Sequence, residues 1–343
     1  MAKRDVKTIG YIGLGNAGFS MASNLPKNGY SLVVYDQDQK KVERAVREWK
    51  NTSSGASSSG TLKGRAFQDC DVIITMLPHG GIVRDVLIPQ GAESGPGLAS
   101  ALRKGTIVVD TSSSSPFETQ ALGKDLDQSG IHLIDSPITQ TYMHATDAGQ
   151  STLMVGCDEE QHFETVKPIL ECMASYIFHM GPLGSGHAMK TLNNYIMASS
   201  ICALSDSLVT GQKFGLDPQK MIDVLNVGTG VNFPTLDTFR RDALTRNFNS
   251  GFGLALLVKD LGITQKFMEN SAFETKLPGL LRKYLSHSLD VIGPERAAVA
   301  DHTECIRGWE ERAGGGLTIR KTENVSDIPA KDFEHRRLGL NRK

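Results

Sequence analysis

The feature that most restricts the fold is a series of short apolar segments that alternate with helix-like segments through the first half of the chain. Six of them are rich in Val, Ile and Leu: TIGYIG, SLVVYD, DVIITML, TIVVD, IHLID and TLMVG. Apolar strands separated by helices are typical of a parallel sheet that is covered on both faces. We therefore predict an α/β fold with a doubly wound N-terminal domain of the Rossmann type, which binds ligands beyond the carboxyl ends of its strands.

The character of the chain changes after GPLGSG, at residues 181–186. A helical pattern without proline follows from His187 to about Phe214, a length on the order of 40 Å, and strands are scarce beyond it. A chain of 343 residues is long for one core. We predict a Rossmann domain over 1–181, an all-helical domain over 182–313 joined to it by the long helix, and a charged tail over 314–343. The Ser/Gly-rich segment 51–60 is interpreted as a mobile linker.

Composition excludes several classes of partner. The chain is 39% apolar and 22% charged, with a net charge of −1. Nucleic acids and anionic membranes require a basic face, and neither is expected as a partner. No apolar stretch reaches the roughly 18 residues that a membrane span needs.

Cysteine usage, the start of the first strand and the spacing of the histidines give three further expectations. The five cysteines are scattered without a C-x-x-C pair, which indicates free thiols in a reducing compartment. The first strand begins near Val6, which leaves no room for a targeting peptide, so we expect a cytoplasmic protein. The nine histidines show no metal-ligand spacing, and we expect no metal.

A glycine-rich turn follows the first predicted strand, in YIGLGNAGFSMASNL. The residues of this turn are Gly13, Leu14, Gly15, Asn16, Ala17 and Gly18. Gly13 permits a tight turn, Gly15 allows close approach of a pyrophosphate, and Gly18 allows close helix packing. The helix start that follows supplies amide donors and partial positive charge. A glycine turn without a ligand is the alternative.

Asp36 ends the second predicted strand, eighteen residues after Gly18. A carboxylate there can accept hydrogen bonds from both ribose hydroxyls and would repel a 2′-phosphate. NAD is therefore the expected cofactor. Lys40 and Lys41 lie close to Asp36 in the sequence, so NADP remains the alternative cofactor.

Lys190 and Asn194 lie four residues apart in GSGHAMKTLNNY and therefore share one helix face. A lysine with an amide one turn later suits acid–base work on an alcohol, provided that the lysine is partly desolvated. From the spacing alone, a surface lysine on an exposed helix face is the more common explanation, and the rest of the chain has to overturn it. Gly184 and Gly186 would let the helix start close against the first domain.

Five segments in order make the chain resemble the β-hydroxyacid dehydrogenases, from about Lys7 to Trp309. They are IGLGNAGFSMASNL, ITMLP, VVDTSSSSP, GSGHAMKTLNN and SGFGLALLVKDLGIT. The resemblance implies Lys190 as the acid–base residue and Asn194 as its substrate-binding neighbour. It implies further cofactor contacts at Met76, Leu77, Pro78, Ser113 and Lys259. It places Ser112, Thr139, Asn194 and Phe252 in the substrate site.

The substrate loop departs from the family pattern D-A-P-V-S-G-G. This chain has DSPITQT, in which Thr139 takes the serine position while Gln140 and Thr141 replace two glycines. Glycine amides can approach a carboxylate closely, and the replacements add bulk and polar groups. These three residues are assigned to substrate binding, and the departure puts the substrate's identity in doubt more than the reaction class.

The sequence thus predicts an NAD-dependent oxidoreductase that interconverts a small β-hydroxyacid, similar to 3-hydroxyisobutyrate, and its semialdehyde or keto form. An imine or aldehyde reductase of the same fold, and a catalytically silent NAD(H)-binding scaffold, are the alternatives. The apolar helix segment YIMASSICALSDSLV and the resemblance favour a homodimer or homotetramer.

Overall fold

The structure is a computed structural model that describes residues 6–50, 56–58, 65–89, 97–139 and 149–317. The chain separates into two compact units, Met1–Thr191 and Leu192–Lys343, and the division falls inside one long helix. Among the helices of the described ranges, none has the length and apolar character needed to cross a bilayer.

The first unit contains a twisted sheet. Its strands are β1 (Thr8–Ile12), β2 (Ser31–Tyr35), β3 (Ala56–Ser58), β4 (Val72–Thr75), β5 (Ile107–Asp110), β6 (His132–Asp135), β7 (Ile138–Thr139), β8 (Ser151–Gly156) and β9 (Ala174–Gly181). The strand order is β3-β2-β1-β4-β5-β6-β8-β7, and β9 pairs with β8. The six neighbouring strands β3, β2, β1, β4, β5 and β6 run parallel to one another. Strand β8 runs antiparallel to β6 and to β7.

Helices cover this sheet and build the second unit. They are α1 (Asn16–Lys27), α2 (Gln39–Trp49), α3 (Gly80–Leu87), α4 (Pro116–Asp127), α5 (Glu160–Glu171), α6 (Ser185–Phe214), α7 (Pro218–Val227), α8 (Phe233–Leu236), α9 (Leu254–Asn270), α10 (Leu277–Ile292), α11 (Pro294–Ala297) and α12 (Ile306–Ala313). Short 3₁₀ turns lie at Arg65–Phe67, Leu98–Ala101 and His302–Cys305, and a π-helical turn at Phe239–Ala243.

Both faces of the sheet are buried, as the uninterrupted apolar strands predict. Ile9 and Tyr11 of β1 join a core with α1, α2 and α5. Ile12 of the same strand faces the other way, into a core with α3 and α4. The predicted doubly wound α/β fold is confirmed.

Two features of the sheet differ from the sequence-based expectation. Residues Ala56–Ser58, inside the segment interpreted as a linker, form β3 and pair with β2. One alanine and two serines do not form the apolar run that predicts a strand, and only the pairing with β2 identifies them as one. The far edge of the sheet is also mixed instead of parallel, because β8 reverses direction.

The described part of the second unit is helical, as predicted, with an isolated bridge between Gly253 and Asp301. Its core gathers buried residues of α6, α9, α10 and α12. Asp217 caps α7 by accepting hydrogen bonds from the backbone N–H groups of Gln219 and Lys220. Trp309 is buried here, and its Nε1 donates to Asp206 at 2.8 Å.

The five cysteines are all free, as expected, and all except Cys172 are buried. Burial raises the pKa of the Cys70 and Cys202 thiols to about 12 and that of Cys157 to about 11. The pKa values of Cys172 and Cys305 are raised by the same cause.

A raised pKa keeps a thiol protonated and therefore unreactive at pH 8. We expect iodoacetamide to alkylate the native protein at least about tenfold more slowly than free cysteine, whose pKa is about 8.5. Mass spectrometry should count five modified cysteines after unfolding in urea. Rapid native labelling of several buried thiols would contradict the buried positions described above.

Candidate functional site

The carboxyl ends of the parallel strands meet at one edge of the sheet. The strand register places Ile12 of β1 beside Tyr35 of β2 on one side and Thr75 of β4 on the other. Thr75 lies in turn beside Asp110 of β5. Asp110 pairs in turn with Asp135. The segments that follow these residues carry most of the site residues predicted in the first unit.

The glycine turn has the geometry that its sequence predicts. Gly13 has φ +102°, and a Cβ there would lie 2.2 Å from the carbonyl oxygen of Met76. A Cβ on Gly18 would lie 2.2 Å from the carbonyl oxygen of Gly13, so α1 packs directly on the turn. Gly15 precedes α1, and no atom of the described residues lies within 4 Å of its hypothetical Cβ.

The amino terminus of α1 is open in the described structure. No side-chain hydrogen bond caps it, and its first turn holds no acidic residue. Unsatisfied amides and the helix dipole favour an anion at such a position. This turn therefore fits a dinucleotide pyrophosphate.

Asp36 follows β2 and turns toward the same loop. Its carboxylate accepts hydrogen bonds from the backbone N–H groups of Leu14 at 2.7 Å and Asp38 at 2.9 Å. Lys41 Nζ is 3.9 Å from Asp36 Oδ1. A carboxylate offers about four acceptor positions, so Asp36 retains capacity for ribose hydroxyls.

The segments after β4 and β5 are tied together by a buried polar network. Ser112 Oγ accepts a hydrogen bond from the N–H of Leu77 at 2.9 Å, and Thr75 Oγ1 donates to Asp110 Oδ1 at 2.9 Å. Ser112 is buried, whereas Ser113 is half-buried and Pro78 is exposed. Ser112 thus holds the segment that includes Leu77, and its assignment to substrate stays a prediction.

Asp135, which the sequence analysis did not single out, holds the start of α6. Its carboxylate accepts hydrogen bonds from the N–H groups of Gly184 at 2.7 Å and His187 at 2.6 Å. Burial raises the pKa of Asp135, an effect that His187 and these two N–H groups oppose. A Cβ on Gly186 would lie 2.1 Å from the carbonyl oxygen of Met154, so this glycine permits the close helix start that was predicted.

His187 links the same helix to the segment after β5. Its Nε2 lies 3.0 Å from the carbonyl oxygen of Ser112, and its Nδ1 lies 2.8 Å from Thr119 Oγ1. The ring also lies 3.6 Å from Asp135 and 3.8 Å from Asp110. Lys190 follows three residues later and is half-buried. The lysine therefore stands on a helix turn that is anchored at the sheet's carboxyl edge.

Asn194 and Lys259 belong to the second unit and meet at Asp260. Asn194 Nδ2 donates to Asp260 Oδ2 at 2.7 Å, and Lys259 Nζ lies 3.1 Å from Asp260 Oδ1. Asn194 and Asp260 are buried. The carboxylate thus orients the amide and leaves Asn194 Oδ1 as an acceptor for a second donor, at present Asn193.

Phe252 is held by a second buried pair that sequence reasoning missed. The N–H of His302 donates to the carbonyl oxygen of Phe252 at 2.8 Å, and the two rings lie 5.8 Å apart. Ser250 Oγ lies 2.7 Å from Asp301 and 2.7 Å from His302 Nδ1. Burial lowers the pKa of His302, although Asp301 opposes the shift. The histidine occurs in a segment, DHTEC, that carries no local signal for this contact.

Thr139 ends β7, is half-buried and pairs with Thr152 of β8. Gln140 and Thr141 lie outside the described residues, as do 318–343 of the predicted tail. Their assignments stay predictions.

The substitution Gly15→Ala distinguishes a ligand-binding turn from a simple turn. Gly15 has φ −64°, which alanine adopts readily, and its Cβ direction is open in the described structure. We expect unchanged thermal stability and roughly tenfold weaker NADH binding, equal to ~1.4 kcal/mol, measured by fluorescence titration. Gly13→Ala is the contrasting variant, since its strained φ and the Met76 contact should lower stability as well. Unaltered NADH affinity in Gly15→Ala would favour the turn without a ligand.

Comparisons with known proteins agree with this geometry. The family model for the NAD binding domain of 6-phosphogluconate dehydrogenase matches residues 8–181. The model for the NAD-binding region of NADP-dependent 3-hydroxyisobutyrate dehydrogenase matches residues 184–309.

Individual proteins show the same relationship. Mitochondrial 3-hydroxyisobutyrate dehydrogenase of Mus musculus is 32% identical over 287 residues, which cover 82% of this chain and 80% of the mouse protein. The structure of Mycobacterium tuberculosis 3-hydroxyisobutyrate dehydrogenase with L-serine superposes with a TM-score of 0.73 at 25% identity, covering 88% of this chain and 98% of that one.

An imine reductase of Streptomyces aurantiacus has a TM-score of 0.56 at 16% identity and covers 88% of this chain and 98% of its own, a likeness that shows the fold alone. The matches to both halves of the chain and to the mouse enzyme decide the family. The chain belongs to the 3-hydroxyisobutyrate dehydrogenase family of NAD(P)-dependent oxidoreductases that act on hydroxyl groups.

Proposed function

We propose that the protein interconverts a small β-hydroxyacid and its semialdehyde or keto form, with Lys190 as the proton-transferring residue. The observation that carries this proposal is the anchoring of α6 by Asp135, because it starts the lysine-bearing helix at the sheet edge where the glycine turn lies. Lys190 is five residues from the helix start at Ser185, about 8 Å along the axis.

Held by the glycine turn and Asp36, NAD would supply the acceptor for the hydride of the alcohol carbon. The amine of Lys190 accepts the hydroxyl proton in this direction, and its ammonium returns a proton to the carbonyl oxygen in the reverse direction. Asn194 offers an amide that can hold the same hydroxyl, with Asp260 fixing its orientation. Phe252 would line the pocket, held by His302.

The names of two relatives suggest the substrate class. 3-Hydroxyisobutyrate and L-serine, named for the mouse and mycobacterial proteins, share a hydroxymethyl group beside a carbon that bears a carboxylate. We infer an acid of this type for the present protein. Ser112, Thr139, Gln140 and Thr141 are proposed to contact its polar groups, and the bulk of Gln140 and Thr141 would alter which acid fits.

The proposed cofactor site combines the glycine turn from Gly13 to Gly18 with Asp36. Met76, Leu77, Pro78 and Ser113 are proposed to cover the nucleotide, and Lys259 to approach it. Asp36 favours NAD, because its negative charge would repel a 2′-phosphate.

Assembly, domain boundaries and compartment are proposed together. Ile196, Phe214 and Val224 of the second unit are exposed by 62%, 85% and 67%, which supports a homodimer or homotetramer formed through the helical domain.

The division into 1–181, 182–313 and 314–343 stays a proposal. The free cysteines support a reducing compartment, and we propose the cytoplasm.

Substitution of Asp36 tests the cofactor preference. In Asp36→Asn an acceptor oxygen remains while the charge is lost, so we expect the ratio of kcat/KM for NAD over NADP to fall roughly tenfold. Asp38→Asn removes the same charge from an exposed position two residues away and is the matched control. An unchanged ratio in Asp36→Asn would show that the charge of this carboxylate does not determine the preference for NAD over NADP.

Substitution of Lys190 tests the reaction. We expect Lys190→Ala to lower kcat by about 10²–10⁴-fold while NADH affinity stays unchanged. Lys213→Ala, at an exposed position in the last turn of the same helix, should keep full turnover. Turnover would be followed by nicotinamide absorbance with a panel of β-hydroxyacids and semialdehydes.

Three results would contradict the proposal. Unchanged turnover in Lys190→Ala would remove the lysine from the mechanism. No turnover of any β-hydroxyacid by the wild-type protein, despite tight NADH binding, would favour the silent scaffold, and turnover of cyclic imines alone would favour an imine reductase.

A further inference from the structure

Two imidazoles and a carboxylate converge at the edge of the sheet opposite the glycine turn. His132 is the first residue of β6 and pairs with Ile107, the first residue of β5. His162 lies in the first turn of α5, and Glu159 is the residue before that helix. One ligand atom from each of these three side chains lies within 4.8 Å of the others.

The antiparallel pairing of β6 with β8 explains why these residues meet. Asp135 is paired with Gly156. In an antiparallel pair, each step backward along one strand corresponds to a step forward along the other. The chain that follows Gly156 therefore runs toward the start of β6, where Glu159 and His132 belong to the same cluster. The helix that follows then carries His162 over the start of β6, and the two imidazole rings lie 4.1 Å apart.

The separations suit a shared cation better than direct hydrogen bonds. Between two of the proposed ligands, His162 Nε2 lies 3.8 Å from Glu159 Oε2. This distance exceeds the hydrogen-bond range. Ligands bound tetrahedrally to Zn²⁺ at 2.0–2.1 Å lie about 3.3 Å from one another. The three ligand atoms therefore need to approach one another by up to about 1.5 Å, which side chains at the surface can do by small torsional changes.

We propose that His132, Glu159 and His162 form a site for a divalent transition-metal ion, best suited to Zn²⁺. Two neutral imidazoles and one carboxylate are ligands that Zn²⁺ accepts, with water in the remaining position. The His132 and His162 side chains are 31% and 19% exposed, so an ion can enter from solvent. Asp127 Oδ1 lies 3.6 Å from His132 Nδ1. It acts as the outer carboxylate that orients the metal-binding imidazole.

This site is separate from the proposed oxidoreductase chemistry. Three residues of β6, about 10 Å of strand, separate His132 from Asp135 at the carboxyl edge. A bound ion would join the start of β6 to the start of α5. Its role is therefore to stabilise this end of the first unit, and it does not depend on the proposed reaction.

The test uses untagged full-length protein treated with EDTA and then dialysed free of chelator. Zn²⁺ titrated by calorimetry should bind with one ion per chain, and Co²⁺ should give the visible bands of a four- or five-coordinate site. His132→Ala and His162→Ala should each weaken Zn²⁺ binding by more than the roughly tenfold that loss of an outer partner costs. Asp127→Asn should weaken it by about that tenfold.

His287→Ala is the matched control. His287 is a surface histidine that lies 3.2 Å from one carboxylate, Glu311, and it should bind Zn²⁺ as the unsubstituted protein does. Zn²⁺ should also raise the thermal unfolding midpoint of the unsubstituted protein and of His287→Ala, and leave that of His162→Ala unchanged.

Two outcomes would overturn the site. One is the absence of stoichiometric Zn²⁺ and Co²⁺ binding to the unsubstituted protein. The other is equal affinity in His132→Ala, His162→Ala and the control, which would locate the ion elsewhere. If His132→Ala fails to fold, Glu159→Gln at an exposed position replaces it, with the same expected loss of binding.

Discussion

The arrangement of the candidate site depends on the buried carboxylate of Asp135. It accepts hydrogen bonds from the backbone N–H groups of Gly184 and His187. These are two of the backbone donors that have no partner within the helix at its start. A hydrogen bond contributes about 0.5–1.5 kcal/mol, and a buried polar group left without a partner costs about 1–3 kcal/mol. Gly156 and Gly186 make the room, since a Cβ on either would lie within 3 Å of a carboxylate oxygen of Asp135. The start of α6 is therefore held in one place.

Asp135 also connects the start of α6 to the neighbouring strands of the sheet. It ends β6 beside Asp110 of β5, whose carboxylate binds the hydroxyls of Thr75 and Ser114. His187 spans the gap between these two acids. The segments after β4, β5 and β6 are thus one hydrogen-bonded edge, and the first turns of α6, including Lys190, extend from it. Rigid placement of this kind is what proton transfer at a defined distance requires.

Much of the fold was predictable because its signals are local. The apolar runs predicted β1, β2, β4, β5, β6 and β8, and the proline-free pattern predicted α6. The segment Ala56–Ser58 contains no large apolar residue and gave no such signal, and its pairing with β2 makes it a strand. The reversal of β8 was equally invisible, since apolar residues look alike in parallel and antiparallel strands.

The sequence by itself determined the glycine turn, the acid that follows β2, and the shared helix face of Lys190 and Asn194. Each of these follows from backbone sterics or helix periodicity over a few residues. Only the tertiary structure decided that Asp135 would cap a helix that starts about fifty residues later. Only it brought His132 to Glu159 and His162, because strand register, unlike spacing along the chain, sets which distant side chains become neighbours.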